Sequence, residues 1–172
     1  GYTDSSPQWV LGGDAILFTS ERYGMRNHAS WGTLRDVMIV FLNREAYDRF
    51  RLTKEDRELE KELEKIAKEG EKKEAAGADK ETKKPAKPAA KAAKEIVVEL
   101  RDIEDRIMRL TPTSSQLGAA TLNKEGTILY YQAAYEGPMG LWQLDLEKHM
   151  PTKIGAASGR MVWDDKQTTL YL

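Results

Sequence analysis

The segment DIEDRIMRLTP, residues 102–112, decides how the chain folds, because its RLT triplet occurs a second time at residues 51–53. Within 105–112 apolar and polar residues alternate up to Pro112, whose ring disfavours helix at the preceding residue. This copy therefore predicts the end of a β-strand. The other copy continues into Thr53-Lys54-Glu55-Asp56, a capping-box pattern that predicts the start of a helix.

The residues around the two triplets predict one sheet that is interrupted by a long insertion. The apolar runs DVMIVFL (36–42) and EIVVEL (95–100) are typical of buried strands. We expect both runs to pair in the same sheet. The 53 residues from 43 to 95 would then leave the sheet as an insertion.

The insertion divides into a predicted helix and a predicted linker. Residues 53–69 carry an apolar stripe of Leu59, Leu63 and Ile66, which favours a helix lying on a surface over a coiled-coil partner site. Residues 70–94 contain eight lysines and eight alanines. Their apolar surface is too small to offset chain entropy, which indicates a disordered linker. A lysine arm for nucleic acid or an anionic membrane is the alternative, which the interspersed acidic residues disfavour.

Three stretches outside the insertion repeat one pattern, in which a large apolar residue and a polar turn precede a β-branched or aromatic strand. They read QWVLGGDAILF (8–18), ATLNKEGTILYY (120–131) and MVWDDKQTTLYL (161–172). Each predicts a β-hairpin, and Tyr130 and Tyr171 occupy equivalent places 41 residues apart. A period of about 40 residues with four strands is typical of one propeller blade. The sequence therefore predicts an all-β fold, a partial β-propeller of about two and a half four-stranded antiparallel blades.

The predicted blades make residues 1–172 a single propeller segment. The first blade comprises 1–42 and 96–112, the insertion 43–95, the second blade 113–157, and the start of the third 158–172. Within the second blade, strands are predicted at 119–122, 128–134, 140–145 and 152–154. An incomplete ring of blades leaves strand edges and apolar sheet faces without neighbours, so self-association of the chain is expected.

Several of these elements resemble the β-propeller of tricorn-like serine proteases. They are SPQWVLGGDAILFTSERYG (6–24), DVMIVFLN (36–43), IEDRIMRLTP (103–112), LWQLDLEKH (141–149) and VWDDKQTTLYL (162–172). A Lys/Glu-rich insertion after FLN is also in keeping with the bacterial members of that family. The hairpin motifs are shared with TolB-like and prolyl-oligopeptidase propellers, whereas IEDR followed by RLT, joined to the inserted helix, is the more specific element.

The resemblance implies a serine peptidase with PDZ and tail-specific-protease-type catalytic domains elsewhere in the parent protein. In that family the propellers are non-catalytic and are thought to filter or channel peptides. Peptides or unfolded protein segments are thus the implied partners, with the remaining blades and the catalytic domain of the parent. The alternative is a TolB- or WD-repeat-type propeller that mediates protein–protein interaction unrelated to proteolysis. The compartment stays open between the periplasm or cell envelope and the cytoplasm of a bacterium.

The composition argues against several classes of function. A net charge of −1 over 172 residues provides no basic field for nucleic acid. The absence of cysteine excludes disulfides and thiolate metal sites. No apolar run approaches the roughly 20 residues of a membrane span. No cofactor is expected, because the sequence contains no phosphate loop.

No catalytic residue is predicted. The two histidines, His28 and His149, are expected in surface loops, and no Gly-x-Ser-x-Gly elbow occurs. The acidic residues Asp102, Glu104 and Asp105 lack the glycine-punctuated pattern of a calcium loop, so a polar turn is expected there and no metal site.

The aromatic residues supply the only candidates for a ligand site. Trp9, Trp142 and Trp163 lie at strand positions, where packing in the core is expected. Trp31 instead lies in the long loop after the first hairpin, together with Tyr23 and His28. Tyr23, His28 and Trp31 are therefore the residues predicted to contact a peptide.

Overall fold

A computed structural model describes residues 1–25, 32–75, 96–135, 137–156 and 159–172. The strands are β1 (Asp4–Val10), β2 (Ala15–Ser20), β3 (Asp36–Phe41), β4 (Ile107–Arg109), β5 (Gln116–Leu122), β6 (Ile128–Ala134), β7 (Gly140–Asp145), β8 (Met150–Ala156), β9 (Val162–Trp163) and β10 (Leu170–Tyr171). The helices are α1 (Arg44–Phe50) and α2 (Lys54–Ala75), and short 3₁₀ turns cover Leu11–Gly13 and Ile103–Arg106.

The strands form two four-stranded sheets and a two-stranded hairpin, all antiparallel. Sheet I has the order β1-β2-β3-β4, sheet II has the order β5-β6-β7-β8, and β9 pairs with β10. Within each sheet, strands that are adjacent in sequence pair with each other, as in the blades of a propeller. The predicted all-β, propeller-like fold is confirmed.

The first hairpin of each sheet and the β9–β10 hairpin share one register. Their turns are closed by the pairs Val10–Ala15, Asn123–Ile128 and Asp164–Thr169. Each pair encloses the same number of residues, namely 11–14, 124–127 and 165–168. Trp9, Leu122 and Trp163 therefore occupy equivalent places, and so do Leu17, Tyr130 and Tyr171.

Two of these turns use the same side-chain device. The Asn123 side-chain oxygen accepts the backbone N–H groups of Thr127 and Ile128, each at 2.9 Å. The Asp164 carboxylate accepts those of Thr168 and Thr169 at 2.6 and 2.8 Å. The Thr169 N–H is the main cause that holds the pKa of Asp164 below its usual value. Asn and Asp favour such turns because their short side chains replace a backbone acceptor.

The buried core lies between sheets I and II. Side chains alternate between the two faces of a strand, so every second residue of β2, β3 and β6 points into this core. Sheet I contributes Val10, Ala15, Leu17, Val37, Ile39 and Phe41, and sheet II contributes Ala120, Leu122, Leu129, Tyr131, Ala133 and Leu144. Full burial of a Leu, Ile or Phe side chain contributes roughly 1.5–3 kcal/mol, which makes this cluster the main stabilising feature of the sheets.

The opposite face of sheet II is covered by the β9–β10 hairpin. The ring of Trp163 lies 5.8 Å from that of Tyr130, edge to face, and its indole N–H donates to the Thr121 hydroxyl at 2.9 Å. The corresponding face of sheet I carries Trp9, which is 62% exposed. The prediction that Trp9 packs in the core is wrong, because among the described residues no sheet lies on that face.

Arg106 holds the chain where it returns to sheet I after the insertion. Its buried guanidinium donates to the carbonyl oxygens of Phe41 at 3.1 Å, Arg101 at 2.9 Å and Asp102 at 3.3 Å, and also to that of Glu99. The short strand β4, directly after Arg106, then pairs with β3. The guanidinium thus joins the end of β3 to the segment that precedes β4.

The run EIVVEL does not form the predicted strand. Ile96–Leu100 has no strand geometry, and Ile96, Val97, Val98 and Leu100 are all about half exposed or more. Its bonds to the sheet are the Glu99 N–H to the Leu42 carbonyl at 2.8 Å and the Glu99 carbonyl to Arg106. Because its Glu99 carbonyl is bound to a guanidinium, the segment has no continuous ladder of backbone hydrogen bonds to a neighbouring strand. Its β-branched residues therefore do not make it a strand.

Helix α1 begins the insertion and was not predicted. Asn43 caps it, since its side-chain oxygen accepts the Ala46 N–H at 2.8 Å. The Phe41 ring lies 5.7 Å from that of Tyr47 and 4.9 Å from that of Phe50. Residues up to Phe50 belong to the same compact unit as the sheets, whereas 51–95 form a second unit.

Helix α2 belongs to the second unit and has the predicted cap. The Thr53 hydroxyl accepts the Asp56 N–H at 3.2 Å and donates to the Asp56 carboxylate at 2.7 Å. The helix continues to Ala75, past Gly70, where the sequence predicted its end. Residues 76–95 lie outside the described part of the chain, so the linker there stays a prediction.

Replacing Arg106 should destabilise the fold strongly. Arg106→Met leaves buried carbonyl oxygens without donors, and we expect the free energy of unfolding to fall by about 3 kcal/mol. Urea denaturation followed by circular dichroism measures this change. Arg101→Met is the matched control, because the Arg101 side chain is 93% exposed and its loss should cost no more than about 0.5 kcal/mol. Equal effects of the two substitutions would contradict the role given to Arg106.

Candidate functional site

An open cleft of about 410 Å³ lies beside the third and fourth strands of sheet II. It is lined by Pro112, Thr113, Tyr135, Trp142, Pro151 and Lys153. Pro112 and Thr113 come from the connection between the two sheets, and the other residues come from β7, β8 and the end of β6. We call this feature the aromatic cleft.

Two rings form the apolar wall of the aromatic cleft. Tyr135 and Trp142 meet edge to face with ring centroids 4.9 Å apart. The Trp142 indole N–H donates to the Ala133 carbonyl at 3.2 Å, and the Tyr135 hydroxyl is hydrogen-bonded to that of Tyr131 at 2.8 Å. Both polar groups are thus engaged within the protein, and the ring surfaces are what the cleft offers to a ligand.

Lys153 supplies the positive charge of the cleft. Its ammonium group lies 5.9 Å from the centroid of the Trp142 ring, and the residue is exposed. Within the described part of the chain, no carboxylate oxygen lies within 4.0 Å of this ammonium group. A bound carboxylate would therefore meet a cation that forms no ion pair with a described residue.

A buried carboxylate organises the end of β3 near the connection that lines the cleft. Asp36 is fully buried and accepts hydrogen bonds from Arg109 at 2.9 Å, Thr111 at 2.9 Å and Ser114 at 2.8 Å. The Thr111 hydroxyl also accepts the Val37 N–H at 3.2 Å. Charge-assisted bonds of this kind fix the positions of their partners. They hold residues 111–114, and with them the Pro112–Thr113 side of the cleft.

The predicted peptide contact Tyr23 lies next to this network. Its ring faces the Arg109 guanidinium, whose carbon lies 5.5 Å from the ring centroid, and the side chain is exposed. Gly24 follows at a close approach of two backbone segments, where a Cβ atom would lie 1.6 Å from the Leu34 carbonyl oxygen. The other two predicted contacts, His28 and Trp31, lie outside the described residues.

Most residues of the aromatic cleft carry no recognisable signal in the sequence. Trp142 was assigned to the core; it packs against the core on one side and lines the cleft on the other. Tyr135 and Lys153 carried no motif. The prolines were the signal in the sequence that could have indicated the cleft. Pro112 follows β4 and Pro151 lies near the start of β8, and proline in sheets is typical of strand ends and edge strands.

The described residues show no catalytic or metal constellation. His149 lies exposed in the turn between β7 and β8, and His28 is not described. No group of three or more His, Asp or Glu side chains suited to a metal ion occurs in the part of the chain that the structure describes. Across the same residues, no helix is long and apolar enough to cross a membrane.

Burial of the tyrosine pair should make stability depend on alkaline pH. Burial is the main cause that raises the pKa of both Tyr131 and Tyr135, so the folded state keeps their protons when the unfolded chain releases them above pH 10. Between pH 8 and pH 11 the free energy of unfolding of the wild type should therefore fall by about 1.4 kcal/mol more than that of Tyr131→Phe. Urea denaturation of both proteins across this range measures the difference. If the free energies of unfolding of the two proteins changed in parallel with pH, burial of the Tyr131 hydroxyl would be contradicted.

The comparisons with known proteins support the fold. No protein-family model matches the chain, and no curated protein matches it significantly. Among solved structures, the chain is similar to one titled the crystal structure of the tricorn protease, with a TM-score of 0.54 and 10% sequence identity. The match covers 99% of this chain and 15% of that one, so this chain spans about a seventh of its length. At this identity the likeness shows a related fold and leaves activity open.

Proposed function

We propose that the chain is a non-catalytic β-propeller region of a tricorn-like serine peptidase, and that it binds peptides or unfolded segments for cleavage by a separate catalytic domain. The observation that carries the proposal is the aromatic cleft on a propeller-like sheet. The structural similarity to the tricorn protease and the sequence resemblance to its propeller support the same assignment. Proteolysis itself, with the PDZ and catalytic domains of the parent, enters only through that resemblance.

The chemistry of the cleft suits an extended peptide. Tyr135 and Trp142 offer ring surfaces, and Pro112 and Pro151 line the cleft without adding backbone N–H donors. Lys153 attracts a carboxylate, either a peptide C-terminus or an acidic side chain. We propose that Tyr23, His28 and Trp31 extend this surface, since Tyr23 is held by Arg109. Folded-protein binding of the TolB or WD-repeat type is the competing function, and it predicts no preference for unfolded peptides.

Peptide binding is tested by fluorescence titration with a short aromatic peptide that bears a free C-terminal carboxylate. Trp142→Leu should weaken binding at least about fivefold, because it removes the larger ring. Lys153→Gln should weaken it about two- to fivefold, the range for an exposed charge, and the amidated peptide should show no such difference. Lys148→Gln is the control, since Lys148 lies in the β7–β8 turn and pairs with Asp145 at 3.3 Å.

The outcomes separate the two functions. Loss of affinity in Trp142→Leu and Lys153→Gln, with Lys148→Gln unchanged, supports peptide binding in the cleft. Equal binding by all variants, or no binding of unfolded peptides at all, would favour the interaction-module function. In the same samples a fluorogenic peptide should stay intact, because the described residues contain no nucleophile–base pair.

A further inference from the structure

Helix α2 exposes a narrow stripe of three large apolar side chains. Leu59, Leu63 and Ile66 are 56%, 57% and 66% exposed, so the stripe is not covered in the way that a helix lying on a surface would be. Their spacings of four and three residues place them along one side of the helix, as in the seam through which one helix packs on another. Large apolar residues exposed in one row are typical of an interaction surface. We call this row the α2 stripe.

Acidic residues border the α2 stripe on both sides. With 3.6 residues per turn, one border consists of Glu55 and Glu62 and the other of Asp56 and Glu60, and all four side chains are exposed. Basic residues lie across the helix from the stripe, namely Lys54, Arg57 and Lys65. The surface is therefore apolar along its centre and negative along both edges.

This charge pattern limits what can cover the stripe. When two helices pair, the residues that border one apolar seam face those that border the other. Two copies of α2 would place carboxylates against carboxylates, which is repulsive. An anionic membrane attracts helices with basic residues beside the apolar side, and α2 has acidic ones there. Under the proposed function, further blades would stack on the faces of the sheets, whereas α2 belongs to no sheet and to the second compact unit.

We infer that the α2 stripe binds an amphipathic helix of another protein, one whose apolar seam is bordered by lysine or arginine. The side chains of the stripe pack into that seam, and the acidic borders form ion pairs with the basic borders of the partner. The contact is small and its charges are exposed, so binding is weak and is weakened further by salt. The interaction does not involve the aromatic cleft and does not rest on the proposed function.

A pair of synthetic peptides serves as the probe. Each has about four heptads with leucine at positions a and d, and its e and g positions carry lysine in one peptide and glutamate in the other. The whole chain is titrated into each labelled peptide up to about 1 mM, and fluorescence anisotropy measures binding. Wild type should bind the lysine peptide at least about tenfold more tightly than the glutamate peptide. Leu63→Gln should weaken binding of the lysine peptide at least about fivefold.

Two further variants test the borders. The double variant Glu55→Lys, Glu62→Lys reverses the charge of one border and should shift the preference towards the glutamate peptide at least about fivefold. Lys65→Gln is the matched control, because Lys65 lies across the helix from the stripe, and it should bind the lysine peptide as the wild type does. Circular dichroism of each variant checks that the fold is kept, as expected for substitutions at exposed positions.

Other occupants of the stripe give different results. Equal affinity of the wild type for the two peptides, or equal affinity of the wild type and Leu63→Gln for the lysine peptide, would overturn the inference. Sedimentation velocity and vesicles of phosphatidylcholine and phosphatidylserine test the remaining occupants. Self-association of the wild type that Leu63→Gln abolishes would assign the stripe to a second copy. Vesicle binding that the same substitution abolishes would assign it to a membrane, and either result would contradict a basic helix as the partner.

Discussion

The buried guanidinium of Arg106 is the interaction on which the described fold depends most. Sheet I is built from two pieces of chain, β1–β3 and β4, which lie on either side of the insertion, and Phe41 and Arg106 are 65 positions apart in the sequence. A buried charge is tolerated only when every donor finds an acceptor, and here the acceptors are carbonyl groups on both sides of the gap. Satisfying that one cation therefore brings the returning chain back to β3, and the pairing of β4 follows. The strand β4 itself pairs with β3 at three positions, and the bonds of Asp36 to Arg109 and Thr111 support the same strand at its other end.

Once sheet I is complete, the difference between its two faces determines the rest. One face carries Ala15, Val37 and Ile39 beside the larger Leu17 and Phe41, and it packs against the core residues of sheet II, among them Tyr131. Sheet II repeats the arrangement, so that its own outer face accepts Trp163. Sheets stack in this way because side chains alternate along each strand. Each sheet then needs to contact only the sheet next to it.

Local patterns predicted the parts of this fold that local forces build. The hairpins around Trp9, Leu122 and Trp163 and the strand β7 (Gly140–Asp145) are visible in sequence because their turn residues and their alternation lie within a dozen residues. The run at 95–100 failed because β-branched residues indicate extended backbone, whereas a strand also needs a free partner edge, and Arg106 takes the Glu99 carbonyl. Likewise, the bond between Arg109 and Asp36 joins residues 73 positions apart, so the support beneath Tyr23 was not readable from its neighbours.

The contacts in the aromatic cleft favour the proposed binding role over catalysis. Its hydroxyl and indole groups are committed to Tyr131 and Ala133, so they hold the rings in place and are not free to activate a nucleophile or stabilise an oxyanion. What the cleft offers is an apolar wall and, at its edge, the Lys153 ammonium group, which forms no ion pair with a described residue. Rings fixed in this way would lower the entropy cost of binding a flexible chain. Under the proposed function, the two rings would take apolar side chains of a peptide and Lys153 a carboxylate, and selectivity for sequence would come from other parts of the protein.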